Sequence, residues 1–439
     1  MKIREVNPLH WCLLAVMVSM ASSSCTKEAK LSGDHAKADL EGSKPVENSA
    51  QVDDVTTAAT VLSTVYKGIT ITFHQNYAVG TVNSGRGAAN YYDYSGFMML
   101  DQSTTQYRLY HGGRYLDAYS DGDNIFSRRV IKTGGGSLAN WNSTASYVEP
   151  ALNPTATVHP SAFWRQPEDV GYDPHIWDSG NFLEPECIRV GGLYYLFSQV
   201  EIRPGDYIDF PATEVAGPSP ADRIRLHTSV NGGSQWQKVF PGGVNRGVVY
   251  NLPAATRRQI KLTHQEMIYE PGTDKPWVMY VFWQNNGVNQ GHVRIRSADP
   301  GTFDWPTREA CSGMAQLGNQ IGYTDVPKSG GGTARLYFRI TMASDNGHLV
   351  PSFQFSSDGL IWGFGSATLK LVGHPTLNNY FLGFSTVDGT GQLPPEGAAN
   401  NYNMLYVSSA AVGSGNADIW NSDIWMGKTQ MQLTGTLTP

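Results

Sequence analysis

Beyond residue 60 the chain alternates short apolar and aromatic runs with Gly, Asn, Asp and Pro, and helical periodicity is nearly absent. Runs of four to seven apolar residues between such turn formers predict β-strands. The runs recur in a fixed order. A strand carrying a central tyrosine is read at 107–110, 193–197, 278–282, 335–338 and 404–407. A further strand follows each, at 126–132, 223–229, 292–297, 352–356 and 419–425. First strands are expected ahead of the tyrosine strands, for example at 186–190, 266–269 and 322–325. Three units close on a shared phrase, in which a strand ends at Ser229, Ser297 or Ser356, an Asn- or Asp-containing turn with glycine follows, and a tryptophan ends it at Trp236, Trp305 or Trp362. Weaker copies end at Trp141 and Trp425.

An antiparallel sheet of this size exposes two faces and cannot stand alone. Packing several sheets around an axis covers the faces and hides most edges. Five tyrosine strands therefore predict an all-β fold, a five-bladed β-propeller over residues 61–439. A sandwich, or two small β domains, would also account for strands and turns, but gives no reason for five matched units. The repeated turn phrase reads as punctuation between sheets: Asp or Asn caps the turn, glycine supplies a positive φ, and tryptophan packs between sheets.

The first sixty residues depart from this pattern. Lys2 and Arg4 precede an apolar run over 9–21, then Ser22, Ser23, Ser24 and Cys25. Such a run is a secretory signal, too short to span a bilayer. Residues 1–24 are read as a lipoprotein-type signal peptide, with Cys25 the lipidated residue of an exported, membrane-anchored (periplasmic or cell-surface) protein; ordinary cleavage near 21–24 is the alternative. Residues 25–60 hold Lys, Glu, Asp, Ser, Ala and Thr with hardly an aromatic, a composition that suits a disordered tether. The formal charge of −6 offers no basic field for a phosphate backbone, so nucleic acid is not an expected partner. Cys187 and Cys311 lie too far apart to mark a metal spacing or a disulfide framework, and their pairing is left open.

Chemistry is sought just before first strands, because propellers place active groups at one end of the central channel. Glu184 and Glu186 are the leading acids: alternate residues of a strand share a face, and a carboxyl pressed against Phe182 near another acid has the raised pKa a general acid needs. Glu266 is the next acid, beside His264, which could orient a carboxylate or meet a sugar hydroxyl. The fourth and fifth units offer Asn319, Tyr323 and Asp325, then Asn378, Asn379 and Tyr380. His74, Tyr92, Trp177 and Trp283 belong to polar–aromatic mixtures of the kind that bind sugars. Asp117, Asp121, Asp123 and Asn124 have an oxygen spacing compatible with structural calcium, although a solvated turn is the plainer reading; no other cofactor is expected. No Gly-x-Ser-x-Gly elbow and no His-Glu-x-x-His occurs, which removes serine-hydrolase and zincin chemistry.

Three segments carry a family resemblance: 183–198, opening Leu183-Glu184-Pro185-Glu186; 293–300, ending Ser297-Ala298-Asp299-Pro300; and 357–362, Ser357-Asp358-Gly359-Leu360-Ile361-Trp362. With them the chain resembles the five-bladed β-propeller glycosidase superfamily of arabinanases, β-xylosidases and arabinofuranosidases, glycoside hydrolase family 43 and its relatives. The resemblance implies three acids: an Asp base that activates water, a Glu acid that protonates the leaving oxygen, and an Asp that tunes the acid. The family's acid begins a strand just before a Gly/Tyr-Tyr hairpin, a context matched by Glu184 or Glu186. Its base opens the first blade as Asp-Pro. Asp93 lies in that part of the chain without the proline, whereas Asp173 has Pro174 but falls between units. His264 is similar in type to a histidine that relatives keep near the channel.

The expected function is glycoside hydrolysis of a pentose-containing polysaccharide (arabinan, arabinogalactan or xylan type). The alternatives are a non-catalytic carbohydrate-binding propeller and a sialidase-like hydrolase; the latter's arginine cluster is not evident.

Overall fold

Two hairpin turns show how the local sequence sets the strands. Gly191 and Gly192, and Asn286 with Gly287, all adopt positive φ, the backbone that lets a two-residue turn follow the twist of the strands it joins. The computed structural model describes residues 60–82, 92–104, 106–114, 123–131, 147–149, 181–202, 221–232, 236–239, 250–251, 259–315, 318–373, 378–411 and 422–439. All belong to a unit spanning Thr56–Gly413 and Ile419–Pro439.

The chain opens with β1 (Thr60–Tyr66) and β2 (Ile69–Val82). A first sheet follows from β3 (Tyr92–Asp101), β4 (Gln106–Arg114), β5 (Asp123–Ile131) and β6 (Tyr147–Glu149). A second comprises β7 (Asn181–Val190), β8 (Leu193–Ile202), β9 (Ala221–Ser229) and β10 (Gln237–Lys238). After β11 (Tyr250–Asn251), a third contains β12 (Ile260–Tyr269), β13 (Trp277–Asn285) and β14 (Val288–Ser297). β15 (Phe303–Asp304) leaves to pair in parallel with β11, and β16 (Glu309–Ala310) completes the third sheet. The fourth is β17 (Gln320–Pro327), β18 (Thr333–Asp345) and β19 (His348–Ser356). Last come β20 (Asn379–Phe384), β21 (Thr386–Val387), β22 (Asn401–Ala411) and β23 (Ser422–Gly435). The fifth sheet has the order β20-β22-β23-β2-β1, so the N-terminal hairpin finishes the sheet that the C-terminal strands begin.

The architecture is all-β, and apart from β21 on the edge of β3 the five larger sheets are antiparallel throughout. Every tyrosine strand read from the sequence is the second strand of its sheet, in β4, β8, β13, β18 and β22. The first strands touch one another in a closed cycle: β3 meets β7, β7 meets β12, β12 meets β17, β17 meets β20, and β20 meets β3.

Two of the turn phrases tie a sheet to the one before it. Asp358 Oδ1 accepts the backbone N–H groups of Leu360 (2.7 Å) and Ile361 (2.9 Å), and Trp362 Nε1 donates to Gly359 O at 3.3 Å. Gly359 sits so close to the preceding sheet that a Cβ would lie 2.5 Å from the Tyr280 hydroxyl, while Arg294 Nη1 donates to Asp358 O at 2.6 Å. In the same way Tyr110 and Arg108 of the first sheet donate to Gly232 O at 2.7 and 3.0 Å. Trp236, Trp305 and Trp362 are buried as expected. Trp425 departs from the pattern: it lies inside β23, paired with Ser408. Trp141 lies outside the described residues.

One segment was not foreseen. After β20, residues 386–393 cross the other four first strands, at the far ends of β3, β7 and β12 and at the middle of β17. β21 pairs in parallel with β3, Arg189 N–H donates to Asp388 O (2.8 Å), Tyr269 N–H to Thr390 O (2.9 Å) and Tyr323 N–H to Gly391 O (2.6 Å). A Cβ at Gly389, whose φ is +70°, would clash with the Cys187 carbonyl. This segment straps the C-terminal ends of β3, β7 and β12 and the middle of β17, which leaves the N-terminal ends of the first three for the site.

Candidate functional site

Four first strands carry a β-bulge at corresponding places. Pairing breaks between Tyr94 and Phe97 in β3, Leu183 and Glu186 in β7, Thr263 and Glu266 in β12, and Tyr380 and Gly383 in β20. A bulge inserts one residue and re-aims side chains. In three of them the inserted residue is not glycine yet has a left-handed backbone: Glu184 (φ +50°), His264 (φ +52°) and Phe381 (φ +47°). Such a conformation costs on the order of 1–3 kcal/mol at each position and concentrates at functional sites.

The bulges bring Glu184, His264 and Phe381 together. His264 Nδ1 lies 2.7 Å from Glu184 Oε1, and the rings of His264 and Phe381 are 6.4 Å apart at 36°. The two bulges of β7 and β12 also bond to each other: Gln265 Nε2 donates to Glu184 O, Met267 N–H donates to Glu186 Oε2, and His264 N–H donates to Gln199 Oε1 at 3.2 Å. Glu266 is held differently. Arg339 of β18 donates to both of its oxygens through Nε (2.9 and 2.8 Å) and to Oε1 through Nη2 (2.5 Å). Arg339 further donates to Ala315 O at 2.5 Å and Gly318 O at 3.0 Å, so the buried ion pair is well satisfied.

Three carboxyl groups thus meet in three electrostatic settings. Burial pushes Glu186 well above the carboxylate range. The Met267 N–H opposes this, and the charges of Glu266 and Glu184 reinforce it. Burial also raises Glu266, while the Arg339 fork pulls it back. Burial works against a charged His264, but the Glu184 carboxylate overcomes it and raises the imidazole above its ordinary value. His292 moves the other way: buried and 3.4 Å from Arg339 Nη2, it is held neutral. Glu184 Oε2 and Glu186 Oε1 have no hydrogen-bond partner among the described residues. The cluster accordingly sets a carboxyl whose ionisation burial opposes beside a carboxyl–imidazole contact, groups of the kind that move a proton onto or off a bound group.

Glu184, Glu186, Glu266 and His264 are therefore brought together. The simple strand alternation expected for Glu184 and Glu186 is interrupted, because the bulge lies between Leu183 and Glu186. Other candidates lie apart. His74 is on β2, separated from β20 by β23 and β22, and its carbonyl accepts from Thr429 Oγ1. Trp283 is on β13, packed edge-on against Trp305 with Arg308 over its face. Tyr323 and Asp325 fall toward the strap, where the Tyr323 hydroxyl donates to Tyr269 O at 2.8 Å. Asn378 and Asn379 bond to the backbone of Leu349.

Asp93 and Tyr92 lie on β3, opposite Gly113 and Arg114, and their side chains are outside the described residues. By register Asp93 matches Leu262 and Asn379, and Ser95 holds the position of Glu184. Asp173, Trp177, Cys25, the signal peptide and the tether are outside the described residues, as are Asp117, Asp121 and the side chains of Asp123 and Asn124. No group of three His, Cys, Asp or Glu side chains among the described residues fits a metal ion. Cys187 and Cys311 are free thiols.

Phe381, Arg339, Gln199 and Gln265 were missed from sequence. A signal existed for Phe381: it stands ahead of its tyrosine strand as Glu184 and His264 stand ahead of theirs.

The solved structures to which this chain is similar include glycoside hydrolases. A GH62 hydrolase in complex with xylotriose matches at 12% identity, over 79% of this chain and 93% of that one, with a TM-score of 0.45. A family 117 glycoside hydrolase from the marine bacterium Zobellia galactanivorans matches at 11% identity over 85% and 90%, TM-score 0.43. The alpha-L-arabinofuranosidase of Podospora anserina in complex with cellotriose matches at 12% identity over 84% and 96%, TM-score 0.41. No protein-family model and no curated protein matches the chain.

Proposed function

We propose that this chain is a glycoside hydrolase built on a five-bladed β-propeller, acting on a pentose-containing polysaccharide of the arabinan, arabinogalactan or xylan type. The observation that carries the reading is the meeting of Glu184, Glu186 and Glu266 with His264 where two neighbouring first strands bulge. Paired carboxyl groups in different surroundings are what hydrolysis of a glycosidic bond uses.

In this reading Glu184 is the general acid. The proton it shares with His264 passes to the glycosidic oxygen as the bond to the sugar breaks. Glu186 stands behind it, its ionisation opposed by burial, and Arg339 pairs with Glu266. Water attacks the sugar carbon and yields its proton to a second carboxylate, for which Asp93 and Asp173 are the candidates. The polysaccharide is met outside the cytoplasm by a protein anchored through lipid on Cys25.

Reducing-end release on arabinan, arabinogalactan and xylan, by the full chain and by Glu184→Gln and Glu186→Gln, tests the assignment. Turnover by the parent and its loss in Glu184→Gln with folding intact is expected. Equal rates in parent and Glu184→Gln exclude Glu184 as the acid. A second reading, a non-catalytic carbohydrate-binding propeller, draws on the neutralised state of Glu266 and the depth of Glu186. Tight glycan binding without turnover would favour it.

A further inference from the structure

Three first strands present a strained, non-glycine residue at one register position, and only two of the three bear groups that carry protons. The third is Phe381. A bulky aromatic side chain at positive φ is a rare arrangement, and where the surrounding structure holds it in place, function is the usual reason. Here β20 is held from both sides of the bulge. Asn379 pairs with Ala410 before it and Gly383 with Val407 after it, and Leu382 beside it is buried in the core.

The ring is not used as core. Phe381 is only half-buried and belongs to none of the hydrophobic clusters, whereas Phe384 on the same strand is fully buried in one. The His264 ring is tilted beside it, and His264 in turn touches Glu184. A flat apolar face therefore stands next to a carboxylate and an imidazole. That combination fits a molecule with one apolar C–H face and a rim of hydroxyls.

We propose that Phe381 is the stacking platform of a sugar subsite. The C–H face of a pentose ring lies on the phenyl ring, while hydroxyls and the glycosidic oxygen reach His264 and Glu184. The proposal rests on the carbohydrate reading above and adds to it the residue that sets the sugar's orientation.

Binding measured apart from turnover tests it. In a Glu184→Gln background, affinity electrophoresis and calorimetry with arabinan, arabinogalactan and xylan would be run on the parent and on Phe381→Gly, Phe381→Leu and Phe381→Tyr. Glycine accepts the backbone at this position, so Phe381→Gly is expected to fold with an unchanged or higher melting temperature. It should bind at least about tenfold more weakly, the loss of one aromatic contact. Phe381→Leu keeps apolar bulk without a flat face and should also bind weakly, while Phe381→Tyr should recover most of the affinity. Parent-like binding by folded Phe381→Gly and Phe381→Leu overturns the platform and leaves the hydrolase reading standing. Absence of glycan binding by the parent overturns both.

Discussion

Glu184 and Glu186 stand two residues apart in different surroundings, and the difference makes predictions about pH. Burial raises the Glu186 carboxyl above its ordinary value, against the opposing Met267 N–H. Its contribution to stability is fully present below the ordinary carboxyl value of 4.5 and is lost as pH rises through the raised native value. His264 is also raised, so its pairing with Glu184 contributes fully below 6.5 and is lost as pH rises beyond its native value. The parent protein should therefore lose stability in two windows on the alkaline side of each threshold, with a slope of up to ~1.4 kcal/mol per pH unit for each proton. Melting temperature against pH checks this. Glu186→Gln should flatten the window that opens above 4.5 and gain stability there, whereas His264→Gln should flatten only the window above 6.5. A profile unchanged in both variants contradicts the charge assignments.

Bulges and ties between sheets organise the elements. Tyr194 of β8 donates to Asp101 Oδ2, and Tyr337 of β18 donates to Glu270 Oε1, both at 2.6 Å. In each case an acid at or just beyond the end of one first strand accepts a hydroxyl from the second strand of the next sheet. Glu270 also meets Arg296 (2.5 Å) and Arg335 (3.4 Å), so Tyr337→Phe should cost about 1–3 kcal/mol in urea unfolding without altering the site. The strap supplies another test. Gly389→Ala meets both a positive φ and a clash with the Cys187 carbonyl, whereas Gly287→Ala at φ +76° meets open space. The hairpin variant should lose roughly 1 kcal/mol and the strap variant clearly more; equal urea midpoints would mean that the strap yields to the added methyl.

These elements also separate what the sequence revealed from what it did not. Tyrosine strands were legible because their alternation and flanking turns are local. The bulges were not, since one inserted residue in Leu183-Glu184-Pro185-Glu186 or Thr263-His264-Gln265-Glu266 leaves the apolar pattern almost intact. Trp425 misled because a tryptophan inside a strand and one after a turn look alike without the turn's Asp and Gly.

Across the whole chain, closure depends on contacts between distant residues. β2 pairs with β23 from Ile69 opposite Gly435 to Val82 opposite Ile424, and β21 joins β20's neighbourhood to β3. Those pairings, and the reach of Arg339 from β18 to Glu266 on β12, could not be read from spacing, because nothing local marks them. The acids themselves were legible as types and positions; their different surroundings come from the partners that closure brings to them. The proposed glycan-hydrolysing site around Glu184 stands or falls on where a sugar binds. The most direct measurement is a crystal structure of Glu184→Gln with an oligosaccharide of its preferred polysaccharide. The account predicts a glycosidic oxygen within about 3 Å of the residue 184 side chain, with the sugar face against Phe381. A sugar seated away from the bulges of β7, β12 and β20 would contradict it.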